Sequence, residues 1–112
     1  MVIDMNFKHM EPRNGDKGYA QEQSARLRKF FRGKIHVNWS FAKERATFVA
    51  HCHILGNHMD YFGGAQAGSL SGAIDLVIDK MEKQVRRHKE MLKNRLHNHD
   101  YRPHRSRAAG GE

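Results

Sequence analysis

Three features of the chain predict an α+β two-layer sandwich. Four segments alternate polar and apolar residues, two stretches carry apolar residues at three- and four-residue steps, and their order is β-α-β-β-β-α. A four-stranded sheet is expected, with both helices packed on one face and the other face left open. The 112 residues suit a single domain, read here as residues 1–96 followed by a mobile basic tail over 97–112.

Each element has its own warrant. In residues 2–8, Ile3, Met5 and Phe7 point one way and Val2, Asp4, Asn6 and Lys8 the other, the signature of a half-buried strand. Pro12, Asn14 and Gly15 interrupt it, with Asn14 or Asp16 as the expected helix cap. Tyr19, Gln23, Leu27, Phe30 and Phe31 then recur at helical spacing and predict an amphipathic helix of about four turns. Its outer face and end carry Arg26, Arg28, Lys29 and Arg32, where cations complement the negative end of the helix dipole. Gly33, tolerant of positive φ, is the expected stop.

The next strand turns Ile35, Val37, Trp39 and Phe41 inward against His36, Asn38 and Ser40. The third sets Phe48, Ala50, Cys52 and Ile54 against Thr47, Val49, His51 and His53. Gly56-Asn57 stands where a two-residue hairpin turn belongs, Gly first suiting type II′. Tyr61, Gly63, Ala65 and Ala67 form the inner side of the last strand, and their small side chains would let a helix approach closely. Ser69 caps a long helix whose stripe of Ala73, Ile74, Val77, Ile78, Met81, Val85, His88 and Leu92 lies on the sheet. Lys83, Arg86, Arg87 and Lys93 occupy its opposite face, and the pattern dissolves after about Leu96.

The net charge of +8 is concentrated. From Lys80 to Arg107 ten Lys and Arg stand against three acids, whereas the remaining residues carry ten against nine. Clustered cations gain affinity by releasing counterions condensed on phosphates, so a polyanion is the expected partner. A solvated charged face without a ligand is the plain alternative, and the imbalance weighs against it. No apolar run approaches the roughly 18–20 residues that cross a bilayer. Asp4, Asn6, Lys8 and His9 break any signal-like stretch, and the single Cys52 can form no internal disulfide. A cytoplasmic protein without a membrane partner is expected.

Catalytic constellations are not apparent. Gly63-Gly64 and Gly68 lack the Lys and the spacing of a phosphate-cradling loop, and no carboxylate pair or Ser/His/Asp set stands out. No enzyme, cofactor or small-molecule substrate is therefore expected. His51 and His53 share the open face, and His58 could approach them across the turn, but Cys52 points the other way. A polar face is favoured over a metal site, because zinc usually takes four Cys or His ligands. His97, His99 and His104 read as generic polar residues and His88 as a core-edge histidine with one hydrogen bond. Phe62 either stacks on a base or covers the hairpin end.

The long helix reads Ala73-Ile74-Asp75, Ile78-Asp79-Lys80, Glu82, Gln84, His88-Lys89 and Leu92-Lys93. This pattern resembles the ribosome hibernation-promoting and ribosome-associated inhibitor family, also known as the sigma-54 modulation protein family. Tyr19, Leu27 and Phe30 fall at that family's first-helix positions, and the Val37 strand and Gly-Asn hairpin match as well. The resemblance covers roughly residues 1–96. The chain departs from the family pattern with Ser69 in place of an acid, Ser71 in place of a tyrosine and Gln23 in place of a basic residue. Phe62, Gly64 and Gln66 stand on the outer face of a strand that is rich in Glu in the family.

The resemblance implies a wedge in the groove of the small ribosomal subunit, touching its rRNA where mRNA and tRNAs lie and blocking translation by steric exclusion. Some members also pair ribosomes into inactive dimers. With 16 residues after Leu96, the chain resembles the short type that lacks a dimerising domain, and a monomer is expected off the ribosome. Basic side chains on a rigid helix hold phosphates without reading bases. The expected RNA contacts are Lys80, Lys83, Arg86, Arg87, Lys89 and Lys93, with Arg26, Arg28 and Lys29 as a second set. About six such contacts imply a log–log salt slope of roughly −4 to −5. Lys80 could instead flank the core with its aliphatic stem. A double-stranded RNA-binding domain is the rival, but such domains place lysines at the start of their last helix. Here that start reads Gly68-Ser69-Leu70-Ser71-Gly72.

Overall fold

The computed structural model describes residues 1–97 other than 14, 32, 57 and 58, with side chains as far as Leu92. Expectations attached to Asn14, Arg32, Asn57, His58, the side chains of Lys93 and His97, and the tail with His99 and His104 lie outside the described residues. The elements are β1 (Val2–Lys8), α1 (Asp16–Ala25), a 3-10 turn (Arg28–Phe30), β2 (Ile35–Glu44), β3 (Thr47–Gly56), β4 (Met59–Ala67) and α2 (Leu70–His97). The sheet order is β1-β2-β3-β4. β1 runs parallel to β2, and the other two pairs are antiparallel. A parallel pair needs a crossover, and α1 with its following turn supplies it. Both helices cover one face, so the architecture is the α+β sandwich that the alternation predicts.

Register turns each inward row into a layer. Met5, Trp39, Cys52 and Gly63 lie side by side across all four strands. Trp39 stacks on Phe41 with ring centres 5.4 Å apart, and Phe7 packs on Phe41 at 5.0 Å. α2 lays Ala73, Ile74, Val77, Ile78, Met81 and Val85 on this surface, all buried. It packs tightly on Gly63, where an added Cβ would sit 2.8 Å from Met81 Sδ, so the small-residue side of β4 has the expected packing role. Ser69 caps α2 as expected, its Oγ accepting the Gly72 amide at 3.1 Å. Among the described residues no helix is long and apolar enough to cross a membrane.

Several local expectations change. The first helix is shorter than four turns: it closes at Ala25, and the amides of Arg26 and Leu27 bond three residues back before the separate 3-10 turn begins. Its buried residues are Ala20 and Ser24, followed by Leu27, while Tyr19 and Gln23 stand half-buried beside them. Ser24 Oγ donates to the Ala20 carbonyl at 2.6 Å, the kind of back-bond that loosens a helix at its end. The cap residue is Gly15 at φ 89°, and the Asp16 carboxylate instead accepts the Arg13 amide at 2.7 Å.

Gly33 takes φ 83° ahead of β2. Gly56 pairs with Met59, so the linking residues of the second hairpin are 57 and 58, one later than expected. The first hairpin turns between the paired Glu44 and Thr47 with Arg45 at φ 60°, a conformation that a non-glycine residue rarely signals in advance. Leu92, assigned to the buried stripe, is 43% exposed.

Candidate nucleic-acid interface

The two flanks of α2 meet different neighbours. On one flank Lys80 Nζ donates to the Gly64 carbonyl at 2.7 Å, and Gln84 Nε2 donates to the Phe62 carbonyl at 2.9 Å. β4 is the last strand of the sheet, and these two side chains satisfy carbonyls on its unpaired edge. On the other flank Asp75 accepts from Tyr19 Oη, and the Arg26 guanidinium spans both oxygens of Glu82 at 3.4 Å while also reaching Gln23 at 3.0 Å. That hydrogen bond to Asp75 also holds the Tyr19 phenol above its ordinary pKa. Below them His88 Nδ1 shares a hydrogen bond with Tyr61 Oη, the core-edge role expected of His88, and burial pushes the Tyr61 phenol up. Asp75, Lys80, Glu82, Gln84 and His88 of the helix pattern therefore each grip another element. Their spacing is that of a helix held on both sides.

Against this background the anticipated cations separate. Lys80 is hydrogen-bonded to a backbone carbonyl, and Arg26 is paired with Glu82. Lys83, Arg86, Arg87 and Lys89 are exposed along the outer side of α2, and Arg28 and Lys29 are exposed on the 3-10 turn. The structure joins the two sets around one ring: Phe30 has Lys29 Nζ 5.3 Å and Arg86 Cζ 5.7 Å from its centre. Lys83 and Arg87, four residues apart, continue the row away from this junction. The α2 backbone includes Lys93. The exposed Asp79 and Glu90 share the outer side, so the row is interspersed with acids.

The opposite side of the sheet is polar and uncovered. Asp4, Asn38, His53 and Phe62 form one cross-strand row, and Asn6, Ser40, His51 and Gly64 form the next. Phe62 is 57% exposed, with the His51 ring stacked on it at 5.7 Å and 18°. His53 meets the same ring edge-on and bonds Asp60 at 2.6 Å, while His36 bonds Asp4. The sequence places Phe62 at the hairpin end or on a base and does not join it to the two histidines. Their shared face is the available signal, but the pairing needs the true turn. Among the described residues no three His, Cys, Asp or Glu side chains come together as a metal ion would require. Cys52 faces the core, where burial pushes its thiol up to about 12.

The family model described as sigma 54 modulation protein / S30EA ribosomal protein matches residues 3–93. The chain belongs to this family. The fold agrees with solved structures. The N-terminal domain of Protein Y from Thermus thermophilus superposes with a TM-score of 0.73 at 20% identity, covering 79% of this chain and 99% of that one. A ribosomal subunit interface protein from Coxiella burnetii gives 0.71 at 14% identity, covering 80% and 99%. At these identities the likeness is one of fold. No curated protein matches by sequence. Within this family member, Asp75, Lys80, Glu82, Gln84 and His88 of the helix pattern mark a scaffold, because each is engaged internally, whereas Asp79 stays exposed.

Proposed function

We propose that this chain binds rRNA of the small ribosomal subunit in the groove used by mRNA and tRNAs and idles the ribosome by occupying that space. The observation that carries this reading is the family match over residues 3–93. The exposed cations of the helix layer support it, since Lys83, Arg87 and Lys89 make no ion pair among the described residues. Lys83, Arg86, Arg87, Lys89 and Lys93 would hold phosphates, with Arg28 and Lys29 extending the track across Phe30. Structured RNA is gripped in this way by shape and backbone. Lys80 and Arg26 would act chiefly by keeping the helices in place.

The mechanism needs no bond-making: a rigid wedge excludes other occupants of the site. Its setting would be the cytoplasm, and the protein would be a monomer when off the ribosome. Promotion of inactive ribosome dimers is compatible with the same seat.

Co-sedimentation with isolated small and large subunits at low and moderate salt tests the proposal. Saturable binding to the small subunit, weakened by salt and competed by tRNA with mRNA, is the expected result. Equal binding to plain duplex RNA would instead make the chain a general double-stranded RNA-binding module.

A further inference from the structure

We propose that the open face of the sheet carries a site for an unpaired nucleobase, with Phe62 as its stacking platform. This rests on the reading that the partner is RNA and adds a second, chemically different contact on the side away from the helices.

The geometry is built around one ring. Phe62 is the only aromatic among the exposed large hydrophobics of the described residues. It is held from two directions, by His51 lying nearly parallel at 5.7 Å and by His53 standing edge-on at 5.9 Å. The His51 position depends on its cross-strand partner being glycine, because a Cβ on Gly64 would overlap the imidazole. Phe62 and His51 thus present a joined aromatic surface instead of an isolated side chain.

Beside it lies a depression of about 290 Å³ whose lining includes the polar side chains of Asp4, Asn6, Asn38 and Ser40 beside His51, His53 and Phe62. Amide and hydroxyl groups both donate and accept, so they can meet the edge of a base without imposing a charge. The carboxylates nearest the platform are tied up locally, Asp60 by His53 and Asp4 by His36. No Lys or Arg lines the depression, so a phosphate finds no cation at this spot.

Unpaired bases that splay from RNA stack on aromatic side chains in this way, and a polar surround without Lys or Arg suits base contact more than phosphate contact. The two faces then divide the work. The helix layer supplies salt-dependent grip on the backbone, and the sheet supplies a stacking contact that salt hardly weakens. A protein lodged in a groove has RNA on both sides to meet.

The test uses the full chain and a short unstructured RNA carrying one 2-aminopurine, whose fluorescence is quenched on stacking. Phe62→Ala should bind this RNA about five- to 150-fold more weakly and lose the quench, with the salt slope unchanged. Phe62→Tyr should restore both signals, and Gly64→Ala, by displacing His51, should cause a partial loss. Should Phe62→Ala misfold, Phe62→Leu keeps apolar bulk without a π face and carries the same test. Wild-type affinity and wild-type quenching in Phe62→Ala or Phe62→Leu would overturn the site. Binding of the wild type to small subunits, run in parallel, separates the two ideas. Subunit binding with a silent Phe62 removes only the platform, while base stacking without subunit binding removes only the ribosomal reading.

Discussion

Trp39 Nε1 donates a 2.8 Å hydrogen bond to Ser24 Oγ, and Ser24 in turn donates to the Ala20 carbonyl at 2.6 Å. Both side chains are buried, so this short relay fastens α1 to the second strand where water is excluded. It also explains why the buried face of α1 is built from small residues: a bulkier stripe would lift the helix off the indole.

Replacing Ser24 with Ala leaves the Trp39 indole N–H buried without an acceptor. The expected cost is about 1–3 kcal/mol, the desolvation penalty of an unpaired buried donor. A urea titration should show the midpoint lowered with the slope unchanged. A midpoint equal to wild type would mean that the indole finds another acceptor.

Lys80→Met should destabilise the domain by about 0.5–1.5 kcal/mol, because the carbonyl it serves belongs to the fold. Lys83→Met should cost little. The Lys80 variant should also aggregate more readily on heating, since one side chain guarding the β4 edge is gone. Light scattering during a melt distinguishes the two variants, and identical curves would argue against an edge-guarding role.

Changing Lys83, Arg86, Arg87 and Lys93 together to Gln should weaken small-subunit binding strongly. The log–log salt slope should become shallower by roughly 0.7–0.9 for each phosphate that is no longer neutralised. Circular dichroism should remain native, because Lys83, Arg86 and Arg87 lie outside the core. Undiminished affinity in the quadruple variant would remove α2 from the interface.

Cys52 confers an alkaline limit. Burial raises its thiol from 9.0 to about 12, so at high pH the folded chain holds a proton that the unfolded chain releases. The contribution is complete below about pH 9 and is lost as pH climbs from there toward 12, at up to about 1.4 kcal/mol per pH unit. Stability measured across that window should fall more steeply for the wild type than for Cys52→Ala. Parallel slopes would show that the thiol does not ionise differently in the two states.

Much of this architecture is legible in the chain because it is locally encoded. Ile35, Val37, Trp39 and Phe41 announce an inward row through alternation alone, and Ser69 announces a helix start through its hydroxyl. The break of α1 after Ala25 is not legible, since Leu27, Phe30 and Phe31 keep helical spacing while their backbone does not. Nor is the first hairpin, whose turn residue Arg45 carries none of the composition that usually marks positive φ. The candidate surface is legible as charge and illegible as geometry: Lys80 and Lys83 look alike in sequence, yet only Lys80 is committed to a carbonyl.

The sequence by itself determined the element types, the side of each strand that faces the core and the basic character of the last helix. These follow from side-chain periodicity and composition, which need no knowledge of partners. Tertiary structure alone decided which residue lies opposite which. Moving the hairpin link from 56–57 to 57–58 shifts the pairing of β3 and β4 by two residues, and a two-residue slip keeps every side chain on its own face. The alternation is blind to it, yet that slip sets Phe62 opposite His53 and leaves Gly64 to receive the ring of His51.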